Sequence, residues 1–273
     1  MQWSQLEDAD WYVRYNALLK ALGKLEPETL ASHADAVVAR LEDSHSNVRK
    51  VALETLAKLE PTTLAQHAGA VVAWSLEDSS LCVRKKALET LGKLEPATHA
   101  QHADALFARL EDSHSDVRKL ALETLGKLEP ATLAQHVGAV VARLEDSDSE
   151  VRTAALETLA KLEPMTLAQL ACVVVARLED PSNHVRLAAC HTLEMFPRYV
   201  RDATRFRELL ARALVHGQVD ELCSRLLGRV AWYRCRIRLR VRSLSLYWYA
   251  LPYSPSGPGH ARDVMAWNHM IEE

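Results

Sequence analysis

Between Pro130 and Pro164 the apolar residues fall on two helical stripes separated by a short polar turn. In the first, Leu133, Val137, Val140, Val141 and Leu144 follow the i, i+4, i+7, i+8, i+11 spacing of one helix face. In the second, Val151, Ala155, Leu159 and Leu162 make the stripe, with Asp148 or Ser149 placed to cap the free N–H groups at its start. Pro130 suits a first turn, where its missing N–H has no partner to lose. A Leu-Glu-Pro sequence ends the second helix, because the residue before proline resists the α region. The pattern predicts two helices and no strand.

The phrase is not confined to this stretch. Its Leu-Glu-Asp core starts at Leu6, Leu41, Leu76, Leu110, Leu144 and Leu178, at intervals of 35, 35, 34, 34 and 34 residues. Self-similarity at that period marks an array in which each repeat buries its apolar face only by stacking on its neighbours. The expected fold is therefore all-α, a solenoid of about six two-helix repeats over residues 1–197. Glu54/Lys58, Glu89/Lys93, Glu123/Lys127 and Glu157/Lys161 recur at i, i+4. They are expected as exposed pairs contributing roughly 0.3–0.5 kcal/mol each.

Each repeat carries an Asp six positions before the Arg of a Val-Arg pair, with Ala three and Leu seven residues further on in the regular copies. This pattern resembles the HEAT repeat, and the 34-residue period resembles the short HEAT-like repeats of the phycobilin-lyase type. The residues concerned are Asp8 and Arg14, Asp43 and Arg49, Asp78 and Arg84, Asp112 and Arg118, Asp146 and Arg152, and Asp180 and Arg186. The resemblance implies that they form a ladder between neighbouring repeats. The tetratricopeptide and ankyrin signatures are missing.

Departures from the phrase mark candidate binding positions. The first repeat has one extra residue, at Leu18-Leu19, and carries Trp3, Trp11, Tyr12 and Tyr15. These suit either an atypical terminal cap or an aromatic contact patch. Before Leu76 the chain reads Ala-Trp-Ser where other repeats read Ala-Arg, so that Trp74 replaces Arg and Ser75 is inserted; Leu81 and Cys82 follow in the turn. An extra residue inside a helix predicts a one-turn π-bulge at Trp74-Ser75. Lys50, Lys85 and Lys119 recur just after the ladder Arg, on a mixed-charge face that could also contact a partner.

Chemistry is harder to find. His33, His67, His102 and His136 share one place in successive first helices. Stacked repeats lie about 8–10 Å apart, whereas zinc needs nitrogens at about 2.0–2.1 Å, so the row is not expected to hold a metal. Deoxyhypusine hydroxylase has comparable repeats but binds iron through His-Glu dipeptides, and this chain has none. Walker, GxGxxG and GxSxG motifs are absent as well. No catalytic residue, metal or cofactor is expected, nor a small-molecule substrate. The five cysteines form no CxxC pair and read as reduced, mostly buried residues of a cytoplasmic protein. The start of the chain shows no leader pattern, and no apolar run is long enough to span a membrane.

The net charge of −3 conceals a division. Residues 1–197 carry 20 Lys and Arg against 29 Asp and Glu, whereas residues 198–273 carry 13 Arg against 7 acids. The repeat phrase breaks after Pro197, and residues 198–251 are expected to form a divergent basic helical cap. A Pro/Gly loop and a short helix are expected over 252–273. Arg225, Arg229, Arg234, Arg236, Arg238, Arg240 and Arg242, with Trp248 beyond them, could cap the array or bind an anionic membrane surface or RNA. The composition of the array points to a non-catalytic scaffold that holds a protein segment on its concave surface. The repeat type also implies, as an alternative, a lyase or accessory enzyme of the phycobilin-lyase type.

Overall fold

The computed structural model describes residues 3–21 and 24–195. Every regular element among them is helical, and the described residues divide into two compact bodies, one up to Thr166 and one from Leu167. The boundary expected near Pro197, and the segments expected after it, lie outside the described residues.

The first repeat comprises a 3-10 turn, Trp3–Glu7, and helix α1, Trp11–Asn16, which runs into a π-helical turn, Ala17–Ala21. The second contains α2 (Pro27–Ala31), α3 (Ala34–Val38), a 3-10 turn Ala39–Glu42, and α4 (Ser46–Leu56). The third is α5 (Pro61–Ser75) followed by α6 (Leu81–Leu91). The fourth has α7 (Pro96–Gln101), α8 (Ala103–Ala108), a 3-10 turn Arg109–Glu111, and α9 (Ser115–Leu125). The fifth repeats this plan with α10 (Pro130–Gln135), α11 (Val137–Ala142), Arg143–Glu145 and α12 (Ser149–Leu159). Proline opens α2, α5, α7 and α10 at the first turn.

Within the first body, α4, α6, α9 and α12 pack each on the next. Their stripes make the core: Val117, Ala121, Leu122 and Leu125 of α9 have no exposed surface, and Val151, Ala155 and Leu159 of α12 match them. A fully buried leucine contributes about 1.5–3 kcal/mol, so these rows outweigh any surface pair. At the start of α12, Asp148 accepts hydrogen bonds from the N–H of Glu150 and Val151, as its place in the sequence suggests.

Two expectations about the first helices require correction. The single helix expected after each proline is divided in repeats two, four, five and six by a residue outside the helical basin. His102 lies at φ −116°, ψ 15° and His136 at φ −114°, ψ 17°. These values fall in the bridge region, which ends one α-helical run and starts another. The π-turn is also displaced. It occupies Ala17–Ala21, where the first repeat has its extra residue, whereas α5 absorbs Ser75 as an unbroken 15-residue α-helix. An insertion in the middle of the first repeat's second helix must be accommodated within it, but one at the end of α5 can simply lengthen that helix at the expense of the following 3-10 turn.

The second body continues α13 (Pro164–Gln169) from Leu167 and contains α14 (Ala171–Ala176), a 3-10 turn Arg177–Glu179 and α15 (Asn183–Glu194). Val174, Leu178, Val185, Ala189 and Leu193 form its buried stripe. The cysteines differ from expectation. Cys190 is buried in α15, whereas Cys82 and Cys172 are free and exposed, because they lie off the buried faces of their helices.

Candidate functional site

The sites that distinguish this array are its junctions. In repeats one to four, the ladder arginine clasps the aspartate of the next repeat with both arms of its fork. Arg14 reaches Asp43 at 2.6 and 2.7 Å, and Arg49 reaches Asp78 at 2.6 and 2.8 Å. Arg84 reaches Asp112 at 2.8 and 3.0 Å, and Arg118 reaches Asp146 at 2.8 and 2.7 Å. The remaining nitrogen turns back to its own repeat, where Arg118 Nη1 donates to the Asp112 carbonyl at 2.8 Å. Each aspartate also accepts the N–H two residues ahead, as Asp112 does from His114 at 2.9 Å. The side chains of the paired acids are at most 5 % exposed. A buried carboxylate is tolerated only when its lone pairs are filled in this way. In the last two repeats, Arg152 and Arg186 make the same return bond to the Asp146 and Asp180 carbonyls.

Burial works against ionisation of Asp43, Asp112 and Asp146 more strongly than any other single factor. The arginine hydrogen bonds, the backbone N–H and the nearby positive charges together outweigh it. As a result Asp43, Asp112 and Asp146 are held below the ordinary carboxylate value.

Sequence reading missed a second row of arginines. Arg40 Nη1 donates to the Leu6 carbonyl at 2.6 Å, Arg109 Nη1 to Leu76 at 3.1 Å, and Arg143 Nη1 to Leu110 at 3.0 Å. Arg109 and Arg143 also pair with Glu77 at 2.7 Å and Glu111 at 3.0 Å. The signal was present, since each Arg precedes the Leu of the phrase, but it reads as an ordinary exposed charge. A row of buried threonines was missed for a similar reason: Thr90 and Thr158 each bond to the preceding repeat, at Leu53 and Leu122.

Two of the recurrent lysines link repeats rather than forming the expected i, i+4 pairs. Lys93 donates to the Ala57 carbonyl at 2.6 Å and Lys127 to that of Gly92, the C-cap residues of the preceding second helices. Helix ends leave carbonyls unsatisfied, and an ammonium placed at the negative helix terminus fills one of them. Lys85 and Lys119 pair with Asp116 and Glu150 of the following repeat, each at 2.6 Å. Lys50 has Cys82 at the corresponding place in the next repeat and turns instead toward Glu54, at 3.7 Å.

Trp74 is half exposed on α5, whereas Ser75 is fully buried, and its hydroxyl has no hydrogen-bond partner. The register explains this burial. Ala68, Val71 and Ser75 lie four, seven and eleven residues after Leu64, so the serine takes a helix-face position that Leu144 takes in the fifth repeat. Leu81 opens α6 and is half-buried. At the other end, Trp11 stacks on His45 at 3.8 Å and Tyr12 is exposed, so the aromatic group of the first repeat partly covers the second.

The histidines do not converge. The His67 ring approaches Asp35 at 3.9 Å, and that of His136 stacks on Phe107 at 4.3 Å. Among the described residues no three His, Cys, Asp or Glu side chains gather as metal ligands. His99 replaces a core leucine. It is buried, its Nε2 bonds to the Leu91 carbonyl at 2.8 Å, and its Nδ1 has no partner. Burial holds its pKa below the ordinary histidine value. Arg225 to Arg242 and Trp248 lie outside the described residues. No described helix is long and apolar enough to cross a membrane.

These elements define an α-helical repeat array closed by ion pairs between repeats. The family model for HEAT repeats matches residues 3–69 and 103–171, and that for the HEAT-like repeat matches residues 149–196. The chain belongs to the HEAT-repeat family. No curated protein matches it. Among structures, a designed armadillo repeat protein in complex with the peptide (KR)4 is 19% identical, with a TM-score of 0.57 over 71% of this chain and 98% of that one. A homology model of the full-length AP-3 complex is 19% identical, with a TM-score of 0.60 over 82% of this chain, which spans 45% of that chain. The complex of CpcE and CpcF of phycocyanin lyase from Nostoc sp. PCC7120 is 20% identical over 84% of this chain and 92% of that one. At a TM-score of 0.47 it carries no argument about function.

Proposed function

We propose that the chain is a non-catalytic scaffold that holds a segment of a partner protein along the exposed face of α4, α6, α9 and α12, which we take as the concave surface of the array. One observation carries the reading: the exposed charges on these helices recur in register from repeat to repeat. Lys85 and Lys119 are neutralised by acids of the next repeat. Glu123 and Glu157 remain exposed and form no salt bridge among the described residues. Helices pack about 8–10 Å apart, close to the span of three extended residues, so periodic carboxylates suit an extended basic or neutral segment. Catalysis requires a unique constellation, whereas near-identical repeats supply rows. The designed armadillo repeat protein, which shares the fold, is complexed with a peptide of alternating Lys and Arg.

Affinity capture from cell extract with the full chain and with Glu89→Lys/Glu123→Lys/Glu157→Lys tests the proposal. The triple variant should retain its helical signal and lose the captured partners. If every partner survives, this face is not the binding surface.

A further inference from the structure

We propose that the junction between repeats two and three holds a notch, formed by Leu41, Glu42 and Trp74, that takes the guanidinium of an arginine from a partner polypeptide. The proposal rests on the reading of the array as a protein-binding scaffold and adds a site on the first-helix side, away from the face of α4, α6, α9 and α12.

At other junctions the array supplies this arginine itself. Arg109 fills the Leu76 carbonyl and the Glu77 carboxylate, and Arg143 does the same for Leu110 and Glu111. Arg40 fills the Leu6 carbonyl. At the junction of repeats two and three the acceptors recur but the donor does not. The 3-10 turn that carries Leu41 and Glu42 packs against α5, which presents Trp74-Ser75 in place of the single arginine. Glu42 is exposed and has no salt bridge, and no side chain among the described residues donates to the Leu41 carbonyl.

The substituted residues do not restore the missing contacts. Ser75 lies in the helix interface with its hydroxyl unpartnered, too short and too deep to replace a guanidinium. Trp74 carries a single N–H and no charge to neutralise Glu42, and half of its surface faces solvent. An indole face together with a carboxylate and an open carbonyl is a set that a guanidinium satisfies at once. The plane stacks on the ring while the fork donates to both oxygens. An ammonium is a compact point charge with no plane to stack. The −9 charge of residues 1–197, from 20 basic and 29 acidic residues, favours approach of a cationic segment.

The test uses the full chain uniformly labelled with nitrogen-15, with the Trp74 indole assigned by loss of its signal in Trp74→Phe. The probe is N-acetyl-arginine N-methylamide, with the citrulline analogue as its uncharged isostere. The Trp74 indole resonance should shift saturably with the arginine probe and not with citrulline. Glu42→Gln should weaken the arginine response by about tenfold, the worth of one charge-assisted hydrogen bond. Replacing Trp74-Ser75 with a single Arg should fill the notch in cis and abolish the probe-induced shift of the Glu42 amide.

Equal responses to both probes, no response at saturation, or an unchanged affinity in Glu42→Gln would overturn the proposal. So would a shift of Trp74 caused by Arg236→Gln/Arg238→Gln/Arg240→Gln in the unliganded chain, which would assign the notch to the chain's own arginines. The capture experiment on Glu89, Glu123 and Glu157 reads the opposite face, so failure of either reading is distinguishable from failure of the other.

Discussion

The junction between repeats four and five and that between repeats two and three are written in the same phrase, yet only the first is closed on both sides. In the former, Arg118 clasps Asp146 and Arg143 seals the Leu110 carbonyl and Glu111. In the latter, Arg49 clasps Asp78 at the same 2.6 Å found for Arg14 and Asp43, but Trp74 stands where the sealing arginine would be. The inner ladder therefore survives loss of the outer clamp. One buried pair holds the register of the array, and the outer row can be exchanged for another use.

The largest effect expected from breaking this scheme is at the inner ladder. Arg118→Ala should lower stability by about 1.5–3 kcal/mol, because it removes a forked pair and strands the Asp146 carboxylate, which is 4 % exposed. Denaturant unfolding with an unchanged slope checks this. Removing the outer clamp should cost less. Arg143→Ala should lose about 1 kcal/mol, since its carbonyl bond is part-buried while its partner Glu111 is largely exposed.

A third comparison sets repeat four against the repeats that carry leucine where it has His99. The folded pKa of His99 lies below its ordinary value of 6.5. The unfolded chain therefore binds this proton first as the solution is acidified. The stability contributed by neutral His99 is present above pH 6.5 and is lost as pH falls through the depressed folded value. His99→Leu should remove that slope and, by relieving an unpartnered nitrogen, raise stability at neutral pH by about 1 kcal/mol. Melting temperatures of parent and variant between pH 7.5 and 5 decide it. The smallest effect is expected at Lys119→Ala, within about 0.5 kcal/mol, because its ion pair with Glu150 is exposed on both sides.

What repetition made legible was the set of positions on which the fold depends. Asp, Arg and the core Val, Ala and Leu recur at fixed offsets, and a residue recurring at one offset is answering one contact. Contacts within the phrase, such as the Asp148 cap, were readable for the same reason. The partner at each contact was less visible. Lys93 and Lys127 have an acid four residues earlier, yet they reach carbonyls of the preceding repeat, since sequence spacing shows neighbours on one helix but not across a junction. Arg109 and Arg143 were hidden because a surface arginine and a sealing arginine look identical in sequence. The π-turn was assigned to the wrong insertion. Both extra residues were visible, but only the one inside a helix had to be accommodated there. The break at His102 and His136 has no sequence signal, because histidine is compatible with an α-helix.

The central claim is that each ladder arginine joins one repeat to the next rather than closing its own. A double-mutant cycle measures this directly. Replacing Arg118 and Asp146 by alanine, singly and together, should show a coupling of about 1–3 kcal/mol between the two side chains, well above the limit of about 0.5 kcal/mol for independent sites. The same cycle for Arg118 and Asp112 should fall within that limit, because Arg118 meets only the backbone carbonyl of Asp112. Strong coupling to Asp112 with none to Asp146 would contradict the account.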